Sequence, residues 1–212
     1  MTSPKFIVFE GIDGAGKTTQ IKLLASRLEK MNIPCVLTAE PTSLPSGKKL
    51  REALSGRLEA TPYEMAEMFA VDRIAHNEGE GGISELLGEG KTVISDRYYY
   101  SSLAYQGSVL GFDTVAKLNL GRGEIRRPDL CIFLDLTPER SLERIGARAD
   151  TPTEIYENRE YLEKTRAMFF SVFEKLRAMG ENIAVVDAFG SIDEVAERVA
   201  KAALTIFDGG NI

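Results

Sequence analysis

A three-layer α/β fold, with a five-stranded parallel sheet flanked by helices, is what this sequence of 212 residues predicts. Two observations carry the prediction. Apolar runs of strand length alternate with segments of helical period along the chain. The runs are also continuous rather than alternating, as expected of parallel strands covered on both faces. The connections between such strands should be right-handed crossovers.

The elements follow in order. Phe6-Ile7-Val8-Phe9 is the first run, and Ile21, Leu24, Ala25 and Leu28 mark one face of the helix expected from Thr18. Cys35-Val36-Leu37 is the second run. Thr61-Pro62-Tyr63-Glu64 has the form of a capping box with proline at the first helical position, opening a helix expected to reach Leu87. Val93-Ile94 centres a strand over Thr92–Ser95, Leu130-Cys131-Ile132-Phe133-Leu134 is the fourth, and Ile183-Ala184-Val185-Val186 the fifth. Ser191-Ile192-Asp193-Glu194 offers a second capping box before the last helix. Residues 146–158 lack a clear period and are expected to form a mobile loop, and Asp208-Gly209-Gly210-Asn211 should fray. With no repeat or linker visible, one domain over residues 1–212 is expected.

Composition bounds the function. Hydrophobic residues at 43% and charged residues at 27% indicate a globular chain. No apolar run approaches the roughly eighteen residues a membrane span needs. The opening MTSPKFIVFEG goes straight into a strand pattern without a signal-peptide layout, so a cytoplasmic protein is expected. The net charge of -6 argues against a nucleic-acid partner, though it leaves room for a small basic pocket. Cys35 and Cys131 fall inside strand runs and are expected to be small buried hydrophobes. A single histidine, His76, leaves little scope for a His-based metal site or triad.

Directly after the first strand, Gly11-Ile12-Asp13-Gly14-Ala15-Gly16-Lys17-Thr18 fits the P-loop pattern at every fixed position. Glycines let main-chain N–H groups wrap phosphate oxygens, and the following helix presents its positive end to the same anion. Lys17 would reach the β- and γ-phosphates of ATP, and the Thr18 hydroxyl would ligate Mg²⁺. GTPases, motor ATPases and small-molecule kinases all use this cradle. The Asn-Lys-x-Asp guanine reader of GTPases is missing and the chain is short for a motor, which leaves a compact kinase.

The stretch from Phe9 through the P-loop to Thr19-Gln20 resembles the opening of thymidylate kinases. So do Phe69-Ala70-Val71-Asp72-Arg73, Asp96-Arg97-Tyr98 continuing through Ser101-Ser102-Leu103-Ala104-Tyr105-Gln106-Gly107, and Pro128-Asp129-Leu130 followed by Leu134-Asp135. The similarity runs from about residue 5 to about residue 200.

The resemblance implies a P-loop NTPase fold and transfer of phosphate from ATP to thymidine monophosphate (dTMP), with Mg²⁺. It implies that Phe69 stacks on thymine and Arg73 donates to a base carbonyl, while Ser101 and Gln106 line the base pocket. Arg97 would clamp the acceptor phosphate with help from Arg51, and Asp96 would position the metal, through water. Asp13 would face the sugar 3′-hydroxyl or the metal, and Tyr105 would lie against C2′ and exclude ribose. Thr19 joins Gly11–Thr18 in the ATP set. Residues 146–158 correspond to the family's lid, which makes Arg148 the candidate for stabilising charge on the transferring group, with Arg144 stacking on adenine or sharing that role. Ala39 stands where many relatives carry an arginine, and Thr42–Gly47 departs from their glycine-rich version. Family members are commonly homodimers. The competing readings are a kinase of deoxynucleosides or of UMP/CMP, and a partner-regulated ATPase.

Overall fold

The computed structural model describes residues 3–146 and 159–207, and the expected lid from residue 147 onward and the terminal Asp208–Asn211 lie outside them. Five strands form one parallel sheet in the order β2-β3-β1-β4-β5. They are β1 (Phe6–Glu10), β2 (Cys35–Ala39), β3 (Thr92–Asp96), β4 (Leu130–Asp135) and β5 (Ile183–Asp187). Each sits on an apolar run and extends one or two residues past it, because ladder bonds persist until the chain turns. The P-loop follows β1 in the middle of the sheet, and the helix after it is α1 (Lys17–Lys30).

Successive residues of a strand point to opposite faces, so each central strand feeds two cores. Ile7, Phe9, Ile132 and Leu134 pack with Leu24 and Leu28 of α1 and with Val195 and Val199 of α10 (Ile192–Leu204). Phe6, Val8, Cys131 and Phe133 face the other layer. There they meet Tyr99 and Leu103 of α5 (Tyr99–Tyr105) and Phe169 and Phe173 of α9 (Arg159–Ala178). Cys131 is fully buried, as expected, while Cys35 is partly buried.

Both capping boxes form: the Thr61 hydroxyl accepts from the Glu64 amide, and Ser191 does the same with Glu194. The helix opened by Thr61 does not reach Leu87. It stops as α3 (Pro62–Glu78), and α4 (Ile83–Gly88) begins after a break. Gly79, Gly81 and Gly82 cause the break. A Cβ at Gly82 would lie within 3 Å of the carbonyl oxygens of Gly79, Asn77 and His76, so the chain folds tightly on itself where a side chain cannot fit. The shorter helices are α2 (Pro45–Leu54), α6 (Gly107–Leu110), α7 (Phe112–Asn119) and α8 (Pro138–Gly146).

Sheet register assembles the site. Phe9 of β1 and Ala39 of β2 both pair with Asp96 at the end of β3. The residues just beyond those positions, Glu10-Gly11, Glu40 and Arg97, therefore emerge side by side at the carboxyl edge, where open α/β sheets bind ligands.

Candidate active site

The cradle is built as its spacing requires. Gly14 has φ = 79°, and a Cβ there would lie 2.8 Å from both the carbonyl and the hydroxyl oxygen of Ser141 on α8. Only glycine permits that approach, and the Ser141 hydroxyl donates to the Asp13 carbonyl to close it. Lys17 Nζ donates to the Gly11 carbonyl at 2.9 Å and lies 3.4 Å from that of Ile12. Burial, with Arg97 nearby, lowers the Lys17 pKa to about 8.

Arg97 leaves the end of β3 at φ = 73°, a left-handed conformation that side chains rarely adopt. Its amide donates to the Phe9 carbonyl at 2.9 Å, and the Ser95 hydroxyl donates to its carbonyl at 2.8 Å. The guanidinium reaches Asp13 Oδ1 at 2.5 Å and the Ser101 hydroxyl at 3.2 Å. Burial opposes its charge, but Tyr105, Glu10, Asp13 and Asp96 outweigh burial and hold its pKa above the ordinary arginine value. Asp96 Oδ2 accepts from the Thr18 hydroxyl at 3.3 Å.

Three cavities run through these residues. One of about 350 Å³ lies over the P-loop between Lys17, Thr18, Asp96 and Arg97. It shares Gly16 and Thr19 with a second, of about 330 Å³, lined also by Arg144, Gln20 and Ile192. It shares Asp13, Glu40 and Arg97 with a third, of about 440 Å³, which gathers Phe69, Arg73, Ser101, Tyr105 and Gln106.

The expected residues therefore fall into two groups. Phe69, Arg73, Ser101, Tyr105 and Gln106 share the third cavity, although they come from α3, α5 and the turn after it. Burial pushes the Tyr105 hydroxyl up to about 12, so it is neutral. Gln106 Oε1 is buried without a partner among the described residues. Arg144 donates to the carbonyls of Ala15 at 3.3 Å and Ala188 at 2.9 Å beside the second cavity. Arg51 is turned toward the Pro41 and Thr42 carbonyls, at 2.8 and 2.6 Å, and does not line the third cavity. Arg148 lies outside the described residues.

Sequence reasoning missed three contributors. Glu10 is fully buried, and its carboxylate accepts from the amides of Tyr98 and Ser101, at 3.0 and 3.1 Å, and from the Ser101 hydroxyl at 2.8 Å. Burial raises its pKa. Its one signal was a carboxylate closing an apolar run just before the glycines. Glu40 lines two of the cavities, and Tyr161 of α9 lines the third.

Comparison with known proteins agrees with this geometry. The family described as Thymidylate kinase matches residues 9–199. The chain is 39% identical over 196 residues to a thymidylate kinase of Desulfotalea psychrophila, covering 92% of each protein. It is 40% identical over 173 residues to that of Leptospira interrogans, covering 81% of this chain and 83% of the relative. It is 41% identical over 194 residues to that of Xanthomonas oryzae, covering 91% of this chain and 79% of the relative. A P-loop opening onto a cleft that gathers Phe69, Arg73 and Tyr105, in a chain matched from the first strand to the last helix, settles the affiliation: the chain belongs to the thymidylate kinase family.

Proposed function

We propose that the protein transfers the γ-phosphoryl group of ATP to dTMP, giving ADP and dTDP. The carrying observation is a series of three neighbouring cavities that share lining residues: a cleft beside Arg144, an anion cradle at Lys17 and Thr18, and a cleft lined by Phe69 and Arg73. Two nucleotides entering from opposite ends would bring their phosphates together between Lys17 and Arg97.

The acceptor oxygen needs no general base, because the second ionisation of a phosphate monoester has a pKa near ~6. What the chain must do is align two polyanions and offset their repulsion. Lys17 and the P-loop amides hold the donor phosphates. Arg97, oriented by Asp13 and Ser101, grips the acceptor phosphate. In the acceptor cleft Phe69 offers a ring face to the base, Arg73 and Gln106 offer polar partners, and Tyr105 stands against C2′ of the sugar. Beside the donor cleft, Arg144 offers its guanidinium plane to adenine. Thr18 Oγ1 and Asp96 Oδ2 are hard oxygen donors that suit Mg²⁺, an ion that takes few protein ligands and completes its shell from phosphate and water. When bound, Mg²⁺ neutralises charge on the donor oxygens. The family likeness also supports a cytoplasmic homodimer, and among the described residues no helix is long and apolar enough to cross a membrane.

The test is an acceptor panel with ATP, read by ADP release: dTMP, dUMP, UMP, CMP, thymidine and no acceptor. The expected outcome is a kcat/KM for dTMP at least ~10-fold above any other acceptor. A preference for thymidine or for UMP or CMP would refute the assignment, as would ADP release that is independent of acceptor.

A further inference from the structure

We propose that His76 is a positioning residue for acceptor recognition, which fixes the guanidinium of Arg73 against the acceptor cleft by locking Glu40. The inference rests on the reading of that cleft as the dTMP site. Arg73 is 1% exposed and Glu40 6%. Arg73 donates to Glu40 through Nε at 2.9 Å and Nη2 at 2.6 Å, and both bonds go to the same oxygen, Oε2. A carboxylate that holds arginine by one oxygen can pivot about it, carrying the guanidinium with it. The second oxygen, Oε1, lies 3.0 Å from His76 Nδ1, and that contact removes the pivot. A carboxylate only accepts, so Nδ1 carries a proton. At the far side of the ring, His76 Nε2 lies 2.6 Å from the Thr38 hydroxyl on β2.

The remaining partners of Arg73 show how closely the group is aimed. Nη2 also donates to the Ser102 hydroxyl at 3.3 Å, and Nη1 donates to Asn119 Oδ1. One Nη1 N–H is left without a partner among the described residues, and a base carbonyl needs one donor. With a single N–H on offer, a small rotation of the guanidinium loses the contact. His76 follows Arg73 by three positions on α3, hence on the same face, and it reaches the sheet through Thr38. His76 thus ties the aim of Arg73 to β2, without touching the cleft.

Full-length His76→Gln, His76→Asn and Thr38→Val proteins are compared with wild type in steady-state kinetics, alongside thermal melts. Asparagine puts an amide N–H close to the place of Nδ1 and keeps the bond to Glu40, whereas glutamine puts its amide near Nε2 and loses it. H76Q should raise KM for dTMP by about 5- to 20-fold, with kcat and KM for ATP within about twofold, and H76N should restore KM to within about twofold of wild type. If H76Q fails to fold, T38V carries the test with an expected rise in the same KM of about threefold. An unmoved KM for dTMP, equal rises for both substrates, or an H76N protein as impaired as H76Q would overturn the assignment. A wild-type protein inert toward dTMP would instead overturn the reading of the cleft, and the His76 role with it.

Discussion

Arg97 combines a strained backbone with a partly buried charge, and the two can be separated experimentally. At φ = 73° any side chain with a Cβ is strained, by about 1 kcal/mol or more. Glycine is free of that strain, so Arg97→Gly should be more stable than Arg97→Ala by about 1 kcal/mol, the reverse of the usual order. Both should lose at least ~100-fold in kcat/KM for dTMP, because neither keeps the guanidinium proposed to grip the acceptor phosphate. Urea unfolding and kinetics on the two proteins check this: an alanine variant as stable as the glycine variant removes the strain, and near wild-type turnover removes the clamp. Lys17 offers a second residue-level check. Its pKa in the free protein is about 8, since burial and Arg97 disfavour the ammonium. Donor phosphates favour the charged form, so above pH 8 the protein must take up a proton to bind. Affinity for a non-hydrolysable ATP analogue should thus be level below pH 8 and fall above it, by up to about tenfold per pH unit. Titrations from pH 6.5 to 9.5 measure it, and Lys17→Met should lose the dependence.

At the scale of elements, α3 holds together the side of the site proposed for the acceptor. Asp72, 1% exposed, accepts from the Thr42 amide at 2.8 Å, the Thr42 hydroxyl at 2.6 Å and the Ser46 hydroxyl at 2.7 Å. One carboxylate thereby fastens the turn after β2 and the start of α2 to the helix that carries Phe69 and Arg73. Asp72→Ala leaves three donors without that acceptor and should cost about 2–4 kcal/mol in urea unfolding while raising KM for dTMP. A loss under ~1 kcal/mol would show that the turn is held by other contacts. The same region marks where the sequence stopped being readable. Five continuous apolar runs identified five strands, and an eight-position motif identified the cradle, because both are local patterns. The break between α3 and α4 was missed because Ile83 and Leu87 resume a plausible helical period, while the glycines that stop the helix act through backbone crowding. Glu10 and Glu40 were missed for a different reason: their partners lie 30 or more positions away in sequence. It takes the pairing of β1 with β3 to bring Glu10 to Tyr98 and Ser101, and the packing of α3 beside β2 to bring Arg73 and His76 to Glu40.

At the scale of the whole molecule, the core packs directly against the cleft proposed for the acceptor. Phe169 of α9 is fully buried, with its ring centroid 5.1 Å from Phe133 of β4, 5.8 Å from Phe173 and 6.0 Å from Tyr105. Phe173 is equally buried and packs against Tyr100, Phe133, Phe169 and Phe170, with no ring contact to Tyr105. Removing either ring leaves a cavity in the same layer, and both Phe169→Ala and Phe173→Ala should lose about 3–5 kcal/mol. Their effects on selectivity should differ. Tyr105 meets the edge of Phe169 at an interplanar angle of 85°, and that contact limits how far the phenol can swing from the place proposed for the sugar. Phe169→Ala should therefore lower the preference for dTMP over its ribose counterpart by about fivefold or more, whereas Phe173→Ala should leave that ratio within about twofold. Both ratios are read from competing-substrate assays below the melting temperature of each variant. Equal ratios in the two proteins would mean that Tyr105 is held from within α5 alone, and that packing of α9 contributes to stability but not to the choice of sugar.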